Sequence, residues 1–121
     1  NIGIKKPFDD SVIASIELSD KCAVTSGIYE RYIEKDGKIY HHILDPKTGY
    51  GVDNELAAVT VIGKKALDCD ALSTVCMLLG TEDGLEIINN TAGTEAVFID
   101  RENNITLSSG LYRENDKIYF K

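Results

Sequence analysis

Two short segments of this chain carry residues that could do chemistry together. The first is His41-His42-Ile43-Leu44-Asp45-Pro46-Lys47-Thr48-Gly49, and the second, about twenty residues further on, is Asp70-Ala71-Leu72-Ser73-Thr74. On a helix Asp70 and Thr74 stand one turn apart, so a carboxylate oxygen and a hydroxyl oxygen can converge on one hard cation. Mg2+ takes few protein oxygens alongside waters and substrate phosphates, so this sparse pair suits Mg2+ better than Zn2+. An imidazole beside a Pro/Gly-shaped loop adds a group able to take a proton from a hydroxyl near neutral pH. Adjacent strand residues face opposite sides, so only one of His41 and His42 can point into such a site. The combination fits metal-assisted phosphate chemistry. On spacing alone a plainer reading stays open, with Asp70 a solvated helix residue, Thr74 a packed one, and Asp45 to Gly49 a turn that needs its Pro and Gly for shape.

The elements that must position these residues are legible in the periodicity. Val12, Ala14, Ile16 and Leu18 alternate with Ile13, Ser15 and Glu17 as in a half-buried strand. Cys22 to Gly27 reads as a short extended piece. Tyr29 to Glu34 and Lys38 to Ile43 flank Asp36-Gly37, a dipeptide suited to a tight hairpin turn, and the second arm delivers His42 to its end. Pro46, Gly49 and Gly51 impose a loop, and Ala57 to Ile62 reads as a buried strand. The pattern then turns helical from Lys64 to Leu79, with Cys69, Ala71, Leu72, Val75 and Cys76 on the core side, Asp70, Ser73 and Thr74 on the other, and Gly80 as C-cap. A second helix spans Glu82 to Asn90, and Glu95 to Asp100, Ile105 to Leu107 and Lys117 to Phe120 are closing strands. This order predicts an α+β domain, a mostly antiparallel sheet with two helices packed on it.

At 121 residues the chain is read as a single domain, 1–121, with a real core. A net charge of −7 argues against nucleic acid or an anionic membrane surface as partner. A nucleotide remains compatible if a metal ion neutralises its phosphates. No apolar run approaches the roughly 20 residues that span a bilayer. The three cysteines, Cys22, Cys69 and Cys76, form no CxxC pair. Cys69 and Cys76 share one helix face and read as buried, hydrophobe-like thiols. Cys69 points about 100° from Asp70 on an ideal helix and is not counted as a ligand.

His42-Ile43-Leu44-Asp45-Pro46-Lys47-Thr48-Gly49 and then Asp70-Ala71-Leu72-Ser73-Thr74 resemble, in order and separation, the two signature motifs of the ApbE family of FAD:protein FMN transferases. Gly3-Ile4-Lys5-Lys6-Pro7 is similar to the family's Gly-Ile-x-x-Pro segment. Ala23-Val24-Thr25-Ser26-Gly27, followed by Tyr29 and Tyr32, is similar to its Ala-x-x-Thr-Ser-Gly-x-Tyr segment. Two departures are small: Gly51 stands where the family usually has proline, and Cys69 where alanine commonly precedes the aspartate. The large one is length, since family members are typically well over twice as long and this chain resembles only their C-terminal half.

The resemblance implies Mg2+-dependent transfer of FMN from FAD to a Thr or Ser hydroxyl of an acceptor flavoprotein, with release of AMP. It selects His42 to deprotonate or orient the acceptor hydroxyl. It makes Asp70 and Thr74 metal ligands, with a backbone carbonyl from the absent half completing the site. Thr25, Ser26 and Gly27, and the loop residues Asp45, Pro46, Thr48 and Gly49, are then expected to contact the flavin nucleotide. Ser108 and Ser109 are taken as strand-end polar residues. Missing length keeps a second reading open: a non-catalytic flavin- or nucleotide-binding remnant, or an interaction module that needs a separate N-terminal half. A homodimer is another way to complete the pocket. The compartment stays unassigned; relatives are often extracytoplasmic and membrane-anchored, and no signal or lipobox stands in this sequence, which opens on Asn1.

Overall fold

The computed structural model describes residues 2–7, 11–28, 32–35, 38–41 and 55–121, with backbone alone at 32–35 and 38–41. In chain order the elements are β1 (Ile2–Lys5), β2 (Val12–Ile16), β3 (Cys22–Gly27), β4 (Tyr32–Lys35), β5 (Lys38–His41), β6 (Leu56–Gly63), α1 (Ala66–Leu79), α2 (Thr81–Asn89), β7 (Glu95–Asp100), β8 (Ile105–Leu107), β9 (Leu111–Glu114) and β10 (Lys117–Phe120). They form two four-stranded sheets, ordered β1-β2-β10-β9 and β3-β6-β7-β8, and a β4-β5 hairpin. All pairings are antiparallel except β10 with β2. This is the expected α+β architecture.

Strand β6 explains the layering. All eight of its residues are buried because the strand has a covered face on each side. Ala57, Val59 and Val61 meet Cys69, Cys76, Met77, Ile88 and Phe98 beneath the two helices. Ala58 and Ile62, with Val97 and Ile99 of β7, meet Ile4, Ala14, Ile16, Leu111 and Ile118 of the other sheet. A strand covered on both faces loses the alternation of a half-exposed one and reads as a continuous apolar run. Around β6 the described residues are thus three layers deep: helices, the β6-centred sheet, and the second sheet.

Most expected elements are present with ends shifted by a residue or more. Strand β2 stops at Ile16, α1 starts at Ala66, and the hairpin arms are Tyr32–Lys35 and Lys38–His41, paired Lys35 to Lys38. Two strands, β1 and β9, were not expected. Each offers a single inward anchor, Ile4 or Leu111, too little for a period to show.

The facing of α1 corrects the sequence expectation. Ser73 is fully buried together with Cys69, Cys76 and Met77, whereas Ala71 and Val75, expected on the core side, are exposed. The reason is composition: Ala, Leu, Val, Cys and Met are spread around the whole helix, Leu67 and Leu79 on its exposed side included, so no apolar stripe defines a face. Burying Ser73 costs little because its hydroxyl is satisfied inside the core. Gly80 ends α1 as expected, with a φ of 89° that favours glycine. Its neighbour Thr81 donates its backbone N–H to Glu55 Oε1 at 2.7 Å, which opens α2 and holds the Glu55 carboxyl below its usual range.

Helix α2 crosses β7 through Gly84. A Cβ there would lie 2.9 Å from Phe98 Cε1 and 3.3 Å from Cys76 Cβ. The gain in helix propensity from Gly84→Ala, about 1 kcal/mol, is opposed by overpacking of about 1–3 kcal/mol. The expected outcome is a lower urea midpoint by equilibrium unfolding. A higher midpoint would show that the Phe98 ring gives way.

Candidate functional site

Strand β3 lies against α1 with Cys22, Val24 and Ser26 toward the helix, because residues two apart share a strand face. At its end Ser26 and Ser73 hydroxyls meet at 2.7 Å, both buried. Ser73 Oγ also donates to the Asp70 carbonyl at 2.9 Å. A serine hydroxyl has one proton, so Ser26 is the donor to Ser73. This bridge runs from the Thr-Ser-Gly segment to the helical turn that carries Asp70. Two stretches far apart in sequence are held in register by it.

On the outer face of that turn the Asp70 side chain is exposed and Thr74 half-buried. Thr74 Oγ1 donates to the Asp70 carbonyl at 3.2 Å. With its proton committed to the backbone, the hydroxyl presents only lone pairs elsewhere. Among the described residues no hydrogen-bond or ion-pair partner holds the Asp70 carboxylate. A carboxylate and a lone-pair-presenting hydroxyl, one turn apart on an accessible helix face, are hard oxygen donors of the kind Mg2+ takes. Among the described residues no group of three or more His, Cys, Asp or Glu forms a denser metal site.

The other sequence-selected residues divide as follows. Thr25 Oγ1 shares a 2.7 Å hydrogen bond with Thr60 Oγ1, so its hydroxyl and that of Ser26 both have partners inside the protein. Gly27 ends β3, buried, and the next N–H, Ile28, donates to the Ala57 carbonyl at 2.9 Å. His42, Asp45, Pro46, Thr48 and Gly49 lie outside the described residues; β5 reaches His41, the position just before His42. Ser108 is anchored within the protein, donating to Glu95 Oε1 at 2.6 Å and accepting from the Ala96 N–H at 2.8 Å. Sequence reasoning missed Ser73 as the internal bridge, although it sits inside the Asp70-to-Thr74 segment. It also missed Glu55, for which no local signal existed. A surface hollow of about 350 Å³ beside the start of α1, lined by Lys64, Lys65, Asp68, Cys69, Leu72 and Gly93 among others, contains none of the sequence-selected residues.

The four motif segments thus sit on β1, β3, the stretch after β5, and α1, and a family model described as the ApbE family matches residues 1–98. The chain belongs to the ApbE family. This ApbE-family chain is 46% identical over 110 residues to an FAD:protein FMN transferase of Klebsiella pneumoniae, covering 89% of the chain and 35% of that relative. It is 35% identical to one of Treponema pallidum, covering 92% and 31% respectively. Among solved structures, the ApbE protein of Thermotoga maritima superposes with a TM-score of 0.80 at 37% identity, over 89% of this chain and 35% of that one. The flavin transferase ApbE of Vibrio cholerae gives 0.72 at 32%, with the same shares. The ApbE-family chain therefore spans about a third of the length of the relatives it matches. No helix among its described residues is long and apolar enough to cross a membrane.

Proposed function

We propose that this chain is the metal-holding and acceptor-activating part of an enzyme that transfers FMN from FAD to a Thr or Ser hydroxyl of an acceptor flavoprotein, releasing AMP. The observation that carries the reading is the turn of α1 on which Asp70 and Thr74 offer two oxygens outward while Ser73 ties the same turn to Ser26. In this reading Asp70 and Thr74 hold Mg2+. When bound, Mg2+ supplies positive charge to offset that of the FAD diphosphate. Thr25, Ser26 and Gly27, with Asp45, Pro46, Thr48 and Gly49, position the flavin nucleotide. His42 accepts the proton of the acceptor hydroxyl as its oxygen bonds to the FMN phosphorus and the bond to AMP breaks. Such a reaction asks little covalent chemistry of side chains, so positioning and charge carry the rate.

The test is a chimera in which this chain replaces the matching third of the Klebsiella pneumoniae relative, assayed with FAD, Mg2+ and an acceptor protein by in-gel flavin fluorescence. His42→Ala is expected to lower transfer by about 100-fold, the ordinary scale of general acid–base catalysis. His41→Ala, at the neighbouring histidine that the motif does not select, is expected to do little. Equal losses would show that the register argument is wrong. The second reading is a flavin-nucleotide-binding module without activity. A folded chimera that binds FAD and transfers nothing would establish that one.

A further inference from the structure

We propose that Cys22 and Cys69 form a redox-active pair that closes into a disulfide between β3 and the first turns of α1. The inference is independent of the flavin chemistry. Cys22 opens β3 directly opposite Gly63 of β6, and its Sγ lies 3.4 Å from the Gly63 carbonyl oxygen. Cys69 Sγ approaches the same residue from the helix, 3.0 Å from where a Cβ on Gly63 would stand. Both sulfurs therefore converge over the one position of β6 that has no side chain. The Ser26–Ser73 bond sits four residues further along each element and fixes the register of α1 on β3. Cys76 is the excluded third thiol. It is fully buried and turns toward α2, its Sγ 3.9 Å from the Gly84 carbonyl.

The exposures set the order of events. Cys22 is half-buried and Cys69 only 2% exposed, so a small-molecule disulfide meets Cys22 first. Cys22 sulfur attacks that disulfide, forming a mixed disulfide and releasing one small thiol. Cys69 sulfur then attacks Cys22 Sγ, forming the Cys22–Cys69 bond and releasing the second small thiol. Two protein thiols are oxidised, one small disulfide is reduced to two thiols, and the protons pass to the leaving sulfurs. The bond closes into one loop the whole stretch from β3 to α1, which contains His42 and the Asp45-to-Gly49 segment.

Incubation of the purified chain with oxidised glutathione, followed by alkylation and non-reducing peptide mapping, tests this. The expected product is a Cys22–Cys69 crosslinked peptide with Cys76 still alkylatable, and a melting temperature higher by about 10 °C. Cys69→Ser is expected to trap Cys22 as a stable glutathione adduct, and Cys22→Ser to leave both remaining thiols reduced. A wild-type chain that keeps the Cys22 adduct while Cys69 stays alkylatable would overturn the proposal. So would a crosslink involving Cys76, or a crosslinked form that melts lower than the reduced one, the sign of a bond made only by pulling α1 off β3.

Discussion

Asp70→Ala is expected to lower FMN transfer by the chimera about 1000-fold while leaving the fold intact. The size follows from the several kcal/mol of charge stabilisation that a divalent cation gives a phosphoryl centre, each 1.36 kcal/mol being tenfold in rate. The intact fold follows from the exposure of Asp70 on α1, since surface substitutions without core contacts usually stay within about 0.5 kcal/mol. Two measurements separate the effects. Thermal unfolding in FAD alone should match the parent, and the added stabilisation given by Mg2+ should vanish, because a ligand stabilises only the state that binds it. An unchanged Mg2+ response would remove Asp70 from the metal site and weaken the transferase reading with it. Loss of stability without Mg2+ would place Asp70 in the structural framework instead.

Phe98→Ala should be the most damaging single change to the fold, costing about 4 kcal/mol. The ring is 1% exposed and packs in the cluster that joins both helices to β6 and β7. Its edge fills the space above Gly84. Removing it leaves a cavity where α2 crosses the sheet, and in a domain of this size the melting temperature should fall by roughly 15 °C. The companion measurement is a double-mutant cycle. Gly84→Ala destabilises the parent through its contact with Phe98, so in the Phe98→Ala background it should instead stabilise, with a coupling above about 0.5 kcal/mol. Additive effects would mean that the glycine and the ring do not meet in solution.

How much of this was legible varied with the physics behind each element. Glu95–Asp100, Ile105–Leu107 and Lys117–Phe120 stand at their expected bounds because each combines β-forming residues with clear turn punctuation. The position of α1 was legible too, since its length and its Gly80 stop are local properties. Its rotation was not: with apolar residues on every side, only the tertiary partner decides which ones are buried, and for Ser73 that partner is Ser26 on a distant strand. Strands β1 and β9 escaped notice because their burial depends on β2 and β10 rather than on their own pattern. For the candidate site, Asp70 and Thr74 were recognisable from helical spacing joined to motif resemblance. The hydroxyl network that anchors them left no mark in either.

The double covering of β6 has a consequence for the chain before it is folded. Leu56 to Gly63 is an uncharged, proline-free window rich in branched apolar residues, the composition of a segment prone to self-association when bare. Its cover comes from both directions in the sequence: β3 precedes it, while α1 and β7 follow. During synthesis β6 therefore emerges before half of its shelter exists. Glu55 stands immediately before the window, and Lys64 and Lys65, both exposed, immediately after it. Charges at the two ends of an unavoidable apolar strand oppose intermolecular stacking. Glu55, which receives the Thr81 N–H once the chain is folded, and the two exposed lysines thus act as gatekeepers for the nascent chain.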